Sequence, residues 1–275
     1  MEKKLLFVDL DGTLLNDNKE ITPENRAAME QAIQLGHAIV VTTGRAMVSA
    51  QKQVERLGLT GPGCYAITSN GALIFDTHSG EIVFKTGVPR EVIRPIFDEA
   101  YAFGLHAQTY TADHAVCERA GREMEYYSRT TLLPYLLVDD AAAALSEDPV
   151  KLLFIDLYNK QNLENFRAHM EPYAREHGLD MFFSSELYLE FLPHGINKGS
   201  GVRFLSQLLH VPLSQTIAAG DAENDITMLQ AAGTACVMAN ASSDMKRYGD
   251  YVTQRDNNHS GIAEIIERFL LCNHP

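Results

Sequence analysis

Short apolar runs that end in polar turns and lead into helices recur along the first quarter of the chain, stop, and return in its last third. Few folds accept that rhythm. Strands alternating with helices form a parallel sheet whose crossovers are right-handed, with helices packed on both faces. Lys4 to Leu10 is a β-rich run that ends in an acidic turn. Thr22-Pro23-Glu24-Asn25 opens a helix, with Thr22 as N-cap and Pro23 at the first helical position, and Gly36 closes it. His37 to Thr42 reads as a strand, Ala46 to Leu57 as a helix and Cys64 to Thr68 as a third strand. A hairpin of Ala72 to Phe75 and Glu81 to Phe84 turns at His78-Ser79-Gly80. The pattern resumes with a helix at Asn197 to Leu209 and a strand at Thr216 to Ala219. A helix at Asp225 to Ala232, a strand at Ala235 to Met238 and a closing helix at Gly261 to Leu271 follow.

Between these halves the texture is α+β. Helices are expected at Pro89 to Phe103 and Leu163 to Glu176, and an Ala-rich segment lies near Asp140 to Leu145. Strand-like stretches lie near Leu105 to Tyr110 and Ala115 to Cys117, and further segments of the α+β pattern run over Val150 to Leu157 and Met181 to Phe191. The expected organisation is a doubly wound, Rossmann-like α/β core from residues 1–84 and 192–275, carrying an inserted α+β domain at 85–191. Insertion is tolerated where the ends of the inserted segment lie close together.

Charge and composition narrow the function. The chain has 275 residues and a net charge of −13, with 45% hydrophobic and 21% charged residues, so it is globular rather than disordered. An acidic balance argues against a general nucleic-acid binder, which needs a basic face for phosphates, but it leaves room for one small anion held by local cations. No apolar run approaches the ~20 residues that span a bilayer. The apolar start is broken by Asp9 and Asp11, against a signal peptide. Cys64, Cys117, Cys236 and Cys272 are scattered without a CxxC pair. They read as reduced thiols of a cytoplasmic protein.

Four segments carry chemistry. Asp9-Leu10-Asp11-Gly12-Thr13-Leu14 follows an apolar strand and places two carboxylates where open α/β sheets bind ligands. Its bland alternative is an Asx-type turn, and an EF-hand is excluded by the missing ligand spacing. Gly220-Asp221-Ala222-Glu223-Asn224-Asp225 follows another strand and adds acids and an amide, a hard-oxygen set suited to Mg²⁺. Its alternative is a polar helix start capped by Asn224 or Asp225. Val40-Val41-Thr42-Thr43-Gly44-Arg45 offers a hydroxyl and free backbone N–H groups before a helix, an anion cradle or simple capping by Thr43. Lys198 in Ile196-Asn197-Lys198-Gly199 opposes the dipole of the helix it starts, which favours a functional role.

Together, D-x-D-G-T, T-G-R, N-K-G and G-D-x-x-N-D in this order resemble the haloacid dehalogenase superfamily of phosphohydrolases, in particular the Cof-type phosphatases with a large α+β cap. The segments Ser69-Asn70-Gly71-Ala72 and Glu190 to Gly199 are similar to the family's passages into and out of its cap. The resemblance implies that Asp9 is the nucleophile and Asp11 the acid and then the base. It implies that Thr43 and Lys198 hold phosphoryl oxygens, with Leu10, Gly44, Arg45 and Asn224 as further phosphate neighbours. Mg²⁺ would be held by Asp9, the backbone carbonyl of Asp11 and Asp221, with Asn224 and Asp225 in support. The substrate would be a small phosphorylated metabolite, such as a sugar phosphate, read by the cap. Such roles suit the physics, because a cation and a lysine must offset a phosphate dianion before a carboxylate can attack it.

Departures from the family pattern fall at Thr42, Ala239, His259 and Ser260. The Tyr126-Tyr127 pair and Met238 and Met245 read as packing, and the histidines show no zinc spacing. Arg45 reads equally as a substrate contact or an ion pair. His114, Glu118 and Arg122 are candidate substrate readers in the inserted domain. A phosphomutase using the same groups and a phospho-Asp signalling domain are the rival functions, although a long-lived phospho-Asp has no use for Asp11. A homo-oligomer is compatible with the sequence, which does not specify one.

Overall fold

A computed structural model describes residues 2–271. Its strands are β1 (Leu5–Asp9), β2 (Ala38–Thr42), β3 (Tyr65–Thr68), β4 (Leu73–Asp76), β5 (Ile82–Lys85), β6 (His106–Tyr110) and β7 (Ala115–Cys117). Then come β8 (Tyr135–Leu137), β9 (Leu152–Ile155), β10 (Leu179–Ser185), β11 (Tyr188–Pro193), β12 (Thr216–Gly220), β13 (Thr234–Val237) and β14 (Tyr251–Val252). They form an eight-stranded sheet in the order β14-β13-β12-β1-β2-β3-β4-β5 and a six-stranded sheet in the order β10-β11-β9-β6-β7-β8.

In the larger sheet every pairing from β14 through β3 is parallel, and β3, β4 and β5 are antiparallel. β1 is buried on both faces, which is why its five residues read as an unbroken apolar run into Asp9. Its side chains alternate between layers. Leu6 and Val8 join the core beneath the helix Pro23–Gln34, whereas Leu5 and Phe7 join the core beneath the helix Lys198–Leu208. Each such fully buried side chain contributes about 1.5–3 kcal/mol. β1 lies between β2 and β12, so the winding of the sheet reverses there. Ligands of open α/β sheets bind at such a switch point, beyond the carboxyl ends of the strands. Asp9, Thr42 and Gly220 end these three neighbouring strands, bringing three distant motifs together.

The smaller sheet packs one face against the helices Ile93–Ala102 and Lys160–Glu176. Phe97, Phe154, Phe166 and Phe191 sit at the centre of that core. Alternation along β9 turns Leu153 and Ile155 to the other face, where they meet Tyr110 and Tyr127 and, from the larger sheet's side, Ala46.

Several expected elements change. The Met181 to Phe191 stretch is two antiparallel strands, β10 and β11, joined by a tight turn, and β11 runs on to Pro193. The helix Arg122–Thr131, polar overall, and the very short strands β8 and β14 are not anticipated from the sequence. The closing helix is α-helical only over Gly261–Ile266 and widens to a π-turn at Glu267–Leu271. Cys64, Cys117 and Cys236 are buried and free, and Cys272 lies outside the described residues. Among the described residues no helix is long and apolar enough to cross a membrane.

Candidate active site

The basin at the switch point is built from loops held in place by one another. Gly12 turns the first loop at a φ of +87°, and a Cβ there would lie 2.5 Å from Asp221 Oδ2, so only glycine lets the first and last acidic loops touch. Thr13 Oγ1 donates to Asp221 Oδ1 at 2.6 Å, and Asn240 Nδ2 donates to the Gly12 carbonyl at 2.8 Å. The Met238-Ala239-Asn240-Ala241 segment thus braces the first loop despite its departure at Ala239. The other departure does similar work at the rim. Asn258 Nδ2 donates to Asp17 Oδ2, and Ser260 Oγ donates to Glu24 while accepting from the Thr22 hydroxyl. His259 folds back onto Asp256.

Lys198 is fully buried at the first position of its helix, which Asn197 caps through Ser200 N. Its Nζ donates to Asp9 Oδ1 and to Asp225 Oδ1, each at 2.6 Å. Asp225 Oδ2 accepts from the backbone N–H groups of Asp221 and Ala222 at 3.0 Å. Asp225 therefore ties the last acidic loop and orients Lys198 rather than capping the following helix. Carboxylate oxygens of Asp9, Asp221 and Asp225 lie within 4.8 Å of one another. Burial raises the Asp9 carboxyl well above its ordinary range, an effect Lys198 reduces and Asp225 and Asp221 reinforce. Burial and the adjacent Asp225 push Asp221 up to about 6. Three close carboxylates facing one ammonium form an all-oxygen set short of positive charge, which fits Mg²⁺.

Asp11 points elsewhere. Its carboxylate accepts two hydrogen bonds from Arg45, from Nε and Nη2, both at 2.9 Å, and one from Lys19 at 2.9 Å. Burial opposes its ionisation, yet these two cations outweigh burial and hold Asp11 at about 2. Of the expected metal neighbours, the Asp11 side chain is thus outside the carboxylate group and leaves only its carbonyl to contribute. Asn224 reaches Asn70 Oδ1 through its amide NH₂ at 3.3 Å and lines the cavity. Lys19 had no motif to announce it.

Thr43 does not cap a helix. The helix begins at Met47 with Ala46 at its N-cap and no side-chain capping bond. Instead, Thr43 Oγ1 accepts from Arg45 N at 3.2 Å. A hydroxyl has one proton and two acceptor positions, so this bond leaves the Thr43 proton free to donate. The expected cradle is therefore a loop whose Thr43 hydroxyl lines the basin without the aid of a helix terminus, while the Thr43 and Arg45 N–H groups donate within the protein, to Ile67 O and to Thr43 Oγ1.

A cavity of about 310 Å³ opens above Asp9, Asp11, Thr43, Gly44 and Arg45. Its roof comes from Tyr126, Tyr127, Thr130 and Thr131 of the helix Arg122–Thr131, and from Ser184, Ser185 and Tyr188 of the β10–β11 hairpin. The tyrosine pair, read as packing, is packed at Tyr127 and also lines this cavity. The candidate readers His114, Glu118 and Arg122 do not line it. His114 faces Asp113, Glu118 pairs with Arg94, and Arg122 is held by Tyr158. Alternation along the strand and the helix's phase, invisible without the fold, decide which side chains look inward. A larger groove of about 820 Å³ runs along the Lys160–Glu176 helix and β10 but contains none of Asp9, Asp11 and Thr43. Chemistry rather than size locates the site.

Comparison with known proteins places the fold in a family. The model of the haloacid dehalogenase-like hydrolase family matches residues 6–266. The chain is 31% identical over 275 residues to YxeH of Bacillus subtilis, covering 98% of this chain and 99% of YxeH. It is 28% identical over 289 residues to phosphatase YwpJ of the same organism, covering 97% and 100%. A haloacid dehalogenase-like hydrolase from Bacteroides thetaiotaomicron superposes with a TM-score of 0.87 at 26% identity, over 97% of this chain and 99% of that one. A family match across nearly the whole described chain, on a doubly wound sheet, means that the chain belongs to the haloacid dehalogenase-like hydrolase family, as a Cof-type phosphatase.

Proposed function

We propose that this phosphatase hydrolyses small phosphate monoesters, sugar phosphates or related metabolites, with Mg²⁺ and through an aspartyl-phosphate on Asp9. The observation that carries this reading is the Asp9 carboxylate. It is buried, held through one oxygen by Lys198, and faces a cavity that also contains Thr43 and Arg45. Asp9 and Asp221, with the Asp11 carbonyl, would hold Mg²⁺, which when bound offsets the charge of the phosphoryl group.

In this mechanism Lys198 and the Thr43 hydroxyl bind the phosphoryl oxygens and present phosphorus to Asp9. An Asp9 oxygen forms a bond to phosphorus as the ester P–O bond breaks. Asp11 gives its proton to the departing alkoxide. Water then attacks phosphorus, losing a proton to Asp11, and the acyl-phosphate P–O bond breaks to restore Asp9. Asp11 as held by Arg45 and Lys19 is ionised. A bound phosphate dianion competes for those cations, and burial together with the dianion's own charge then pushes the Asp11 carboxyl upward, toward the protonated form this role requires.

Residues 85–191 act as the cap in this reading, closing the cavity against water. Its roof presents hydroxyl and aromatic groups. Its one cation there, Lys151, is already paired with Glu190, which supports a neutral, hydroxylated leaving group. The cavity stands at the small end of ligand pockets, in keeping with a metabolite. Three buried thiols, each pushed up by burial to about 11 or 12, suit a reduced, cytoplasmic protein. The test is phosphate release from p-nitrophenyl phosphate in the presence of Mg²⁺. Asp9→Asn is expected to lose at least about 10³-fold in kcat, since it removes the nucleophile. An Asp9→Asn protein as active as wild type would sink the mechanism, and transfer of phosphate between sugars without its release would favour a mutase.

A further inference from the structure

We infer that Lys151, buried between the two sheets, is a positioning residue that sets the phosphate-binding loop through the Gly44 carbonyl. The inference deepens the proposed function and rests on it. Lys151 and Glu190 are 1% and 2% exposed and form an ion pair at 2.9 Å. A buried pair of this kind contributes little net stability over an apolar pair of equal volume, so its presence here asks for another reason. The bonds around it supply one. Lys151 Nζ donates to Gly44 O at 2.7 Å, reaching from the start of β9 into the turn that follows β2. Glu190 Oε2 accepts from Asn70 Nδ2 at 2.9 Å, and Oε1 also accepts from Ser184 Oγ at 2.7 Å. The Asn70 backbone N–H in turn donates to Thr43 O at 3.1 Å, and Ser69 N donates to Arg45 O at 2.9 Å. Ser69 and Asn70 sit at φ values of +48° and +52°, an arrangement that needs such support.

The consequence lies in one peptide plane. A trans peptide points its C=O and the next N–H in opposite directions. With the Gly44 carbonyl drawn to Lys151, the Arg45 N–H points away from it and meets Thr43 Oγ1 at 3.2 Å. That bond occupies an acceptor position of the hydroxyl and leaves its proton for the phosphoryl group. Lys151 therefore acts at a distance, and through the six-stranded sheet, on the group that binds phosphate. Seating of that sheet and readiness of the loop become one event.

The experiment replaces the pair by neutral groups, so that no buried charge is left alone. Lys151→Met with Glu190→Gln, and Lys151→Met with Glu190→Met, are compared with wild type by thermal melting, by competitive inhibition with inorganic phosphate, and by kcat and KM for p-nitrophenyl phosphate. A folded double variant is expected to bind phosphate about tenfold more weakly and to raise KM, because the hydroxyl loses its fixed aim. Leu163→Ala, which hollows the smaller sheet's own core, is expected to lower the melting temperature without changing phosphate inhibition. Phosphate inhibition equal to wild type in a folded double variant overturns the inference. So does failure of both double variants to fold, since the pair would then serve the fold itself. Wild-type turnover and loss of activity in Asp9→Asn test the underlying phosphatase reading separately.

Discussion

Removing or supplying Mg²⁺ at two pH values tests the electrostatics of the basin most directly. Three carboxylates share it with one buried ammonium. Asp221 ionises at about 6 in the folded chain against 3.8 as the ordinary value, a rise of about 2 units. At about 1.4 kcal/mol per unit, that is about 3 kcal/mol. A carboxyl raised on folding favours the native state fully below its unfolded value, and the benefit is lost as pH rises through the folded one. The metal-free protein should therefore lose about 3 kcal/mol from this group between about pH 3 and pH 7. For a chain of this size, that is roughly 6–12 °C in melting temperature. A divalent cation that binds only the native state reverses the loss, giving about 2.7 kcal/mol at a hundred times its dissociation constant. At pH 5 the ion must first displace a proton from Asp221, and Asp9 is raised as well, so its effect should be smaller by at least about 1.4 kcal/mol. The assay is a melting curve with EDTA or with Mg²⁺ at pH 5 and at pH 8. Asp221→Asn should raise the metal-free melting temperature at pH 8 and abolish the Mg²⁺ shift. Equal Mg²⁺ stabilisation at the two pH values, or a lower metal-free melting temperature in Asp221→Asn, would refute the claim that unrelieved repulsion governs the basin.

Other consequences are open to measurement. Lys198→Met leaves Asp9 and Asp225 buried without their cation and should cost about 3–5 kcal/mol in urea unfolding, together with nearly all activity. Arg45→Gln removes the main partner of Asp11, whose depressed value of about 2 stabilises the native state above pH 4 and ceases to do so as pH falls toward 2. With the Asp11 side chain 40% exposed, wild type should exceed the variant by only about 1 kcal/mol at pH 7, and the gap should close by pH 2. Gly71→Ala, at a φ of +108° with its added Cβ 2.3 Å from the Asn197 carbonyl, should cost about 1–3 kcal/mol or more by melting and displace Lys198 enough to lower kcat.

The parts of the site legible in the sequence are those whose signal is local. Asp9, Thr43 and Asp221 each stand just past a β-rich run, and strand ends of a wound sheet converge whatever the rest of the chain does. Lys198 was legible because its place at the start of a helix is unfavourable to a cation. What stayed hidden depends on distant pairing. Glu190 meets Asn70 across 120 positions, and Lys151 meets Gly44 across 107. No periodicity in either segment reports such a partner. Lys19 is a surface lysine in any reading of its neighbours, until the fold turns it onto Asp11.

The roof of the cavity was hidden for a different reason. The helix Arg122–Thr131 is polar along most of its length and buries only Met124 and Tyr127, so too little apolar content marks it out as an element. The residues chosen there by chemistry alone, His114, Glu118 and Arg122, point to partners of their own. This asymmetry follows from what each part must do. Phosphate chemistry demands fixed charges at fixed strand ends, and those leave motifs. Recognition of a neutral leaving group demands shape and a few hydroxyls, which many residue types supply. In the proposed reading such a chain states its reaction in its loops, whereas its leaving group is read by the cavity that Tyr126, Thr130, Ser184 and Tyr188 line together.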